Sequence, residues 1–197
     1  MLSVYLLRHG ETAYNADGNR YCGRTDIALT DKGINQALLV SQRMKGISLD
    51  AVYSSPLMRA RRTAELVSGW EKVQTDQRLI EVDFGSWENK RREEFVAEDP
   101  QSWAAWSNDP EHHRAGNTGE SGGEVIKRLD HFFNEMLTTH DGQTILVAGH
   151  NGTNRLYMAH KLGMPLKYYR RLFQENSAIT LFELDDSGEL TLKKLNA

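Results

Sequence analysis

The chain has 197 residues, 39% of them hydrophobic and 26% charged, with 24 Lys+Arg against 27 Asp+Glu for a formal charge of -3. Those are globular values that exclude a disordered or membrane-embedded chain, and the near balance of charge gives no global reason to expect nucleic acid or an anionic membrane as partner. A single cysteine, Cys22, cannot close an internal disulfide, which fits a reducing, cytoplasmic setting.

The predicted elements run as follows. The N-terminal apolar run is too short for a signal peptide, and Arg8 and His9 follow at once, so Ser3 to Leu7 is expected as a buried strand. A polar loop extends through Asn15, Asp17, Gly18, Gly23 and Asp26. Thr30 is an N-cap candidate for an amphipathic helix carrying Ile34, Ala37, Leu38 and Val40 to Met44. Leu49 to Tyr53 is a second strand, and Ser54-Ser55-Pro56 opens a helix with proline near its first turn. That helix carries Arg59, Arg61, Arg62 and Thr63 and stops near Gly69.

Gln77 to Phe84 reads as extended, reaching a turn at Gly85. Helical pieces around Lys90 to Glu98 and Gln101 to Trp106 precede a Gly-rich loop from Asn108 to Gly119 and a long helix from about Glu120 to Thr139. Thr144 to Ala148 is the clearest strand, ending at Gly149-His150-Asn151-Gly152 before a helix from Thr153 to Leu162. Ala178 to Leu184 and Glu189 to Leu195 form a hairpin joined at Asp186-Ser187-Gly188. There is no repeat, low-complexity tract or linker, so residues 1–197 are expected as one domain. Alternating strands and helices predict an α/β/α sandwich with a mostly parallel sheet and an antiparallel edge.

In such sheets, sites form at the carboxyl ends of strands. Three polar segments follow predicted strands there: Arg8-His9, Ser54-Ser55-Pro56 leading to Arg59, and His150 with a helix start behind it. Guanidinium groups and helix N-terminal amides suit a phosphate dianion. A neutral imidazole among them can attack phosphorus, and two nearby arginines lower its pKa from about 6.5. A leaving alkoxide needs a proton. Glu81, beside Ile80, Val82 and Phe84, is the best candidate acid because burial raises a carboxyl pKa, with Asp83 as the competing choice.

Against these stand plainer roles. Arg61 and Arg62 suit a solvated helix face. His112 and His113 lack metal-ligand spacing and are expected on a surface loop. Trp87, Trp103 and Trp106 suit packing, although Trp103 and Trp106 are also candidates for contact with a substrate's organic part.

RHGET with Asn15 downstream resembles the signature of the histidine phosphatase superfamily, which includes the cofactor-dependent phosphoglycerate mutases. SSPLMRARRTAE resembles its second block and puts the second phosphate-binding arginine at Arg59. LIEVDFGSWE resembles the proton-donor block, at Glu81, and GHNG the block of the second histidine, at His150. NRYCGRTDIALTDKG is similar to the substrate-side loop, placing Arg20, Cys22 and Gly23 near the ester. TGESGGEVIKRL resembles the stretch before the long helix. The blocks keep the family's order from residue 3 to about residue 180.

The resemblance implies a phosphohistidine intermediate on His9, phosphate contacts from Arg8, Arg59 and His150, and further contacts from Asn15, Asn151 and Gly152. It implies no metal and no cofactor, and a small phosphorylated metabolite as partner, with a homodimer left open. Two positions depart from the pattern: Asn151 stands where a glycine is more usual, and Cys22 where a hydroxyl or amide is. The mutases that the chain resembles carry a basic insertion after the proton-donor block, whereas Glu88 to Gly119 is compact here, so water is the expected acceptor. Within the phosphatases, FGSWE and the segment to SWAAWSND look most like α-ribazole phosphatases, with broad-specificity, phosphoserine and sugar-phosphate phosphatases close behind.

Overall fold

The structure is a computed structural model describing residues 1–197. Its strands are β1 (Leu2–Arg8), β2 (Ala51–Ser54), β3 (Gln74–Thr75), β4 (Thr144–Gly149), β5 (Ile179–Leu184) and β6 (Leu190–Lys194). They form one sheet in the order β3-β2-β4-β1-β5-β6. The first four are mutually parallel, and β5 runs antiparallel to both β1 and β6. The helices are α1 (Ala13–Ala16), α2 (Asp31–Arg43), α3 (Met58–Ser68), α4 (Arg92–Glu98), α5 (Pro100–Asn108), α6 (Gly122–Thr139) and α7 (Asn151–Lys161).

Side-chain alternation along the strands sorts the core into two layers. Leu2, Val4 and Leu6 of β1, with Ile145 and Val147 of β4, pack under Leu129, Phe133 and Met136 of α6 and Leu156 of α7. On the opposite face Leu7, Val52, Leu146 and Ala148 meet Ala37 and Val40 of α2 and Ala64 and Val67 of α3. This is the expected three-layer sandwich. No helix is long and apolar enough to cross a membrane.

The caps explain where several helices start and stop. The Thr30 hydroxyl accepts from Gly33 N as expected, and Gly69 ends α3 in the left-handed region at φ 72°. Other expectations need correction. The loop after His9 contains α1, closed by a reciprocal capping box between Thr12 and Asn15. Pro56 lies outside α3: Leu57 is an extended N-cap without a side-chain bond, and Asp26, from a distant loop, accepts from Met58 N at 2.8 Å instead. Gln77 to Phe84 is not extended throughout, because Asp76 caps a 3₁₀ turn at Gln77–Leu79. Helix α7 begins at Asn151, two residues before expectation, with His150 as its N-cap. The short β3 and a 3₁₀ turn at Leu166–Arg171 lack a strong pattern in the sequence.

Candidate active site

The carboxyl ends of β1, β4 and β2 bring the three polar segments together. His9 continues the β1 ladder, its amide donating to Gly149 O at 3.2 Å. Its own carbonyl accepts from Ser177 N and from Asn176 Nδ2. The backbone of His9 is therefore pinned by β4 on one side and by the turn before β5 on the other. Gly10 allows this turn to close onto α2, since a Cβ there would stand 2.5 Å from Gly33 O. Its amide donates to the Thr63 hydroxyl on α3 at 3.0 Å.

The ring of His9 is oriented by one bond. Nδ1 lies 2.7 Å from Gly10 O. A carbonyl only accepts, so Nδ1 carries the proton and Nε2 keeps its lone pair. The group is 5% exposed, and burial first, then Arg59 and Arg8, hold its pKa well below the ordinary histidine value. His150 stands edge-on to it with ring centroids 5.2 Å apart. It too is held well down, by burial and then Arg59. Both nitrogens of His150 are buried without a protein partner, as are Nε of Arg8, Nε of Arg59 and Oδ1 of Asn151. Such orphaned groups gathered in one place signal a polar ligand.

The two arginines differ from expectation in how much of their fork is free. Arg59 is fully buried, and its Nη atoms donate to the carbonyls of Cys22, Gly23 and Thr25 at 2.7 to 3.1 Å. Nε and the second N–H of Nη1 remain for a ligand. Arg8 donates Nη1 to Gln174 O at 2.6 Å, and burial with the nearby Arg155 brings its pKa down to about 10. Neither arginine has an acidic partner within ion-pair distance, so their charge awaits an anion.

A cleft of about 250 Å³ opens beside these groups, and Glu81 is the one carboxyl group lining it. Glu81 is 4% exposed. Its oxygens accept from the amides of Val82, Gly152 and Thr153 at 2.9 to 3.0 Å, so it also caps α7, which has no side-chain cap of its own. Gly152 is small for that reason, as a Cβ there would lie 2.7 Å from Glu81 Oε1. Asp83 does not line the cleft, and its carboxylate accepts from Gly85 N in a turn.

Of the remaining expected residues, Asn15, Arg20, Cys22, Asn151 and Gly152 line the cleft, while Arg59, His150 and Gly23 are buried and are not part of its lining. Arg20 is tethered at the mouth by Asp17 and the carbonyl of Asn89. Burial pushes the Cys22 thiol up to about 11. Arg61 and Arg62 pair with Glu65 on the exposed face of α3. His112 and His113 both turn to Asp109 on the surface. Trp106 is 1% exposed, and Trp103 packs against Trp87 and Phe95. Neither lines the cleft, which corrects their candidacy for substrate contact.

Three contributors escaped the sequence reading. Arg155 lines the cleft one helical turn after Asn151, whose carbonyl accepts from its Nε, and that spacing of four was the available signal. Glu88 accepts from the amides of Gly23 and Thr25 and props the loop that Arg59 grips. Gln174 is buried, holding Arg8 through its carbonyl and Asn154 and Thr180 through its side chain. Nothing in the sequence marks it.

A model of the histidine phosphatase superfamily, branch 1, matches residues 4–197. The chain belongs to that superfamily. It is 36% identical over 166 residues to an adenosylcobalamin/alpha-ribazole phosphatase of Escherichia coli, covering 83% of this chain and 81% of the relative. It is 30% identical over 195 residues to phosphoserine phosphatase 1 of Hydrogenobacter thermophilus, covering 98% and 92%. Among solved structures, the phosphoserine phosphatase of Entamoeba histolytica in complex with 3-phosphoglyceric acid superposes with a TM-score of 0.90 at 30% identity, covering 100% and 98%. These relatives are phosphatases of the superfamily, in keeping with phosphoric monoester hydrolysis.

Proposed function

We propose that this chain hydrolyses small phosphomonoesters through a phosphohistidine on His9. Nε2 of His9 attacks phosphorus as the ester P–O bond breaks, and Glu81 gives its proton to the departing oxygen, releasing the alcohol. Water then attacks phosphorus and gives a proton to Glu81, the N–P bond to His9 breaks as the new P–O bond forms, and inorganic phosphate leaves. Arg8, Nε of Arg59, His150 and the first amides of α7 surround the phosphoryl oxygens and stabilise charge that grows during transfer. The observation that carries this reading is the bond from His9 Nδ1 to Gly10 O, which leaves a neutral ring with its free lone pair on Nε2. Glu81 is favoured over Asp83 as the acid because it alone brings a carboxyl group to the cleft.

Water is favoured over a second substrate as acceptor. The basic residues of the compact segment after the proton-donor block have partners there: Lys90 with Glu98, Arg91 with Asp17, Arg114 with Glu124, and Arg92 over the ring of Trp103. None of these lines the cleft, so the segment brings no basic residue to a second phosphate. The likeness to an alpha-ribazole phosphatase and to phosphoserine phosphatases favours a phosphorylated metabolite, with α-ribazole phosphate first among the candidates. Initial rates on α-ribazole phosphate, phosphoserine, phosphoglycerates and sugar phosphates test the substrate, and quenched turnover tests for an acid-labile phosphoprotein. His9→Ala is expected to lower kcat by on the order of a thousandfold or more. Undiminished hydrolysis by that variant refutes the nucleophile.

A further inference from the structure

Beyond the phosphate-binding groups, the mouth of the cleft carries one unmet aromatic face. Phe173 lines the mouth and is 65% exposed. The other aromatic residues of the wall are already covered. Tyr21 packs edge-on against Phe84 with centroids 4.8 Å apart, and the guanidinium groups of Arg155 and Arg170 lie over Tyr169 at 5.3 and 5.0 Å. Exposed aromatics scattered singly over a surface need no explanation, but this one borders the cleft.

Its exposure is built in rather than a product of a loose segment. Leu172 and Gln174, on either side, are 8% and 4% exposed. The Gln174 carbonyl accepts from Arg8 Nη1 at 2.6 Å, and its side chain bonds to Asn154 and Thr180. With Leu172 in extended backbone, alternation sends the intervening ring outward while both neighbours are held. Phe173 is thus presented by the same short segment that positions a phosphate-side arginine. Arg155 stands next to it: the two share a small crevice as well as the cleft, and no carboxylate pairs with Arg155.

An aromatic face and a guanidinium at one mouth suit a flat ring, which stacks on the first and meets the second through its π face or ring acceptors. We infer that Phe173 sets leaving-group specificity, taking an aromatic ring carried on the alcohol half of the ester. This rests on the phosphomonoesterase reading above and names its substrate class.

The test compares 2-phenylethyl phosphate with propyl phosphate, whose leaving alcohols are of similar basicity, in the parent, Phe173→Ala and Phe173→Tyr proteins. The parent is expected to favour the ring ester by about tenfold in kcat/KM, expressed mainly in KM. Phe173→Ala is expected to bring that ratio close to one, and Phe173→Tyr to keep it. No preference in the parent, a preference that survives Phe173→Ala, or an equal loss on both esters overturns the inference.

Calorimetric binding of 2-phenylethylphosphonate against propylphosphonate reads the ring contact without chemistry. If the ring preference is absent from binding while His9→Ala abolishes turnover, the ring subsite falls alone. If the ring preference holds while His9→Ala turns over normally, the phosphohistidine reading falls alone.

Discussion

Acidification from pH 7 to 5 in phosphate-free buffer is expected to destabilise this fold through two imidazoles. His9 and His150 are almost wholly buried, and burial, then Arg59, keeps both well below the ordinary pKa. In the unfolded chain each titrates near ~6.5. Below that value the unfolded state binds protons that the folded state refuses, so the stability present above ~6.5 is lost as the pH falls. At about 1.4 kcal/mol per pH unit, an imidazole kept neutral by the fold forfeits at most about 2 kcal/mol by pH 5, and the pair at most about 4 kcal/mol. That is a large share of the ~5–15 kcal/mol of an ordinary domain. The carboxylates whose pKa is lowered, such as Glu11 and Asp17, lose their contribution only below their ordinary carboxylate range, outside this window. His112, raised by its bond to Asp109, works in the opposite direction but is fully exposed. Urea unfolding at pH 7, 6 and 5 measures the effect. The parent should lose the most, up to about 4 kcal/mol, His150→Gln about half as much, and the His9→Gln/His150→Gln double variant almost nothing from this source. Equal pH slopes in all three proteins would refute the reasoning.

Gly152→Ala drives a methyl group against Glu81, and circular dichroism is expected to show the fold intact. Its kcat on alkyl phosphates should fall by about a hundredfold, and much less on 4-nitrophenyl phosphate, whose leaving group needs no proton. Glu88→Ala removes the carboxylate that holds the amides of Gly23 and Thr25. Urea unfolding should register a loss of about 2–3 kcal/mol, and inhibition by inorganic phosphate should weaken as Arg59 loses its scaffold. With its pKa pushed up to about 11, Cys22 has about one thiol in a thousand ionised at pH 8. Iodoacetamide labelling followed by mass spectrometry should therefore be on the order of a hundredfold slower in the native protein than in urea.

The residues legible in the sequence are those whose signal is local. His9 and His150 follow strands whose apolar runs are unmistakable, and Thr30 and Gly69 mark helix ends by their own chemistry. Partnerships between distant segments were not legible. That Asp26 caps α3, that Arg59 spends its Nη atoms on carbonyls, and that Glu81 caps α7 all depend on packing rather than spacing. The tryptophans misled for a related reason. Trp103 and Trp106 sit at helical spacing in a segment near the site in sequence, yet the same apolar surface that suits a ligand also suits Trp87 and Phe95. The exposed ring at the mouth belongs instead to Phe173, in a segment without periodicity.

The turn from Cys22 to Thr25 is gripped on its carbonyl side by the Arg59 guanidinium and on its amide side by the Glu88 carboxylate. Opposite charges thus hold the two ends of the Cys22–Gly23 peptide, and each further contact counts a particular residue along the turn. An inserted or deleted residue there would put both grips out of phase at once. Length variation, the common route by which loops acquire new ligands, is closed at this edge of the cleft. New substrate ranges must arise here by exchanging side chains on a backbone of unchanging length, with Cys22 on one wall and Phe173 at the mouth as the open positions.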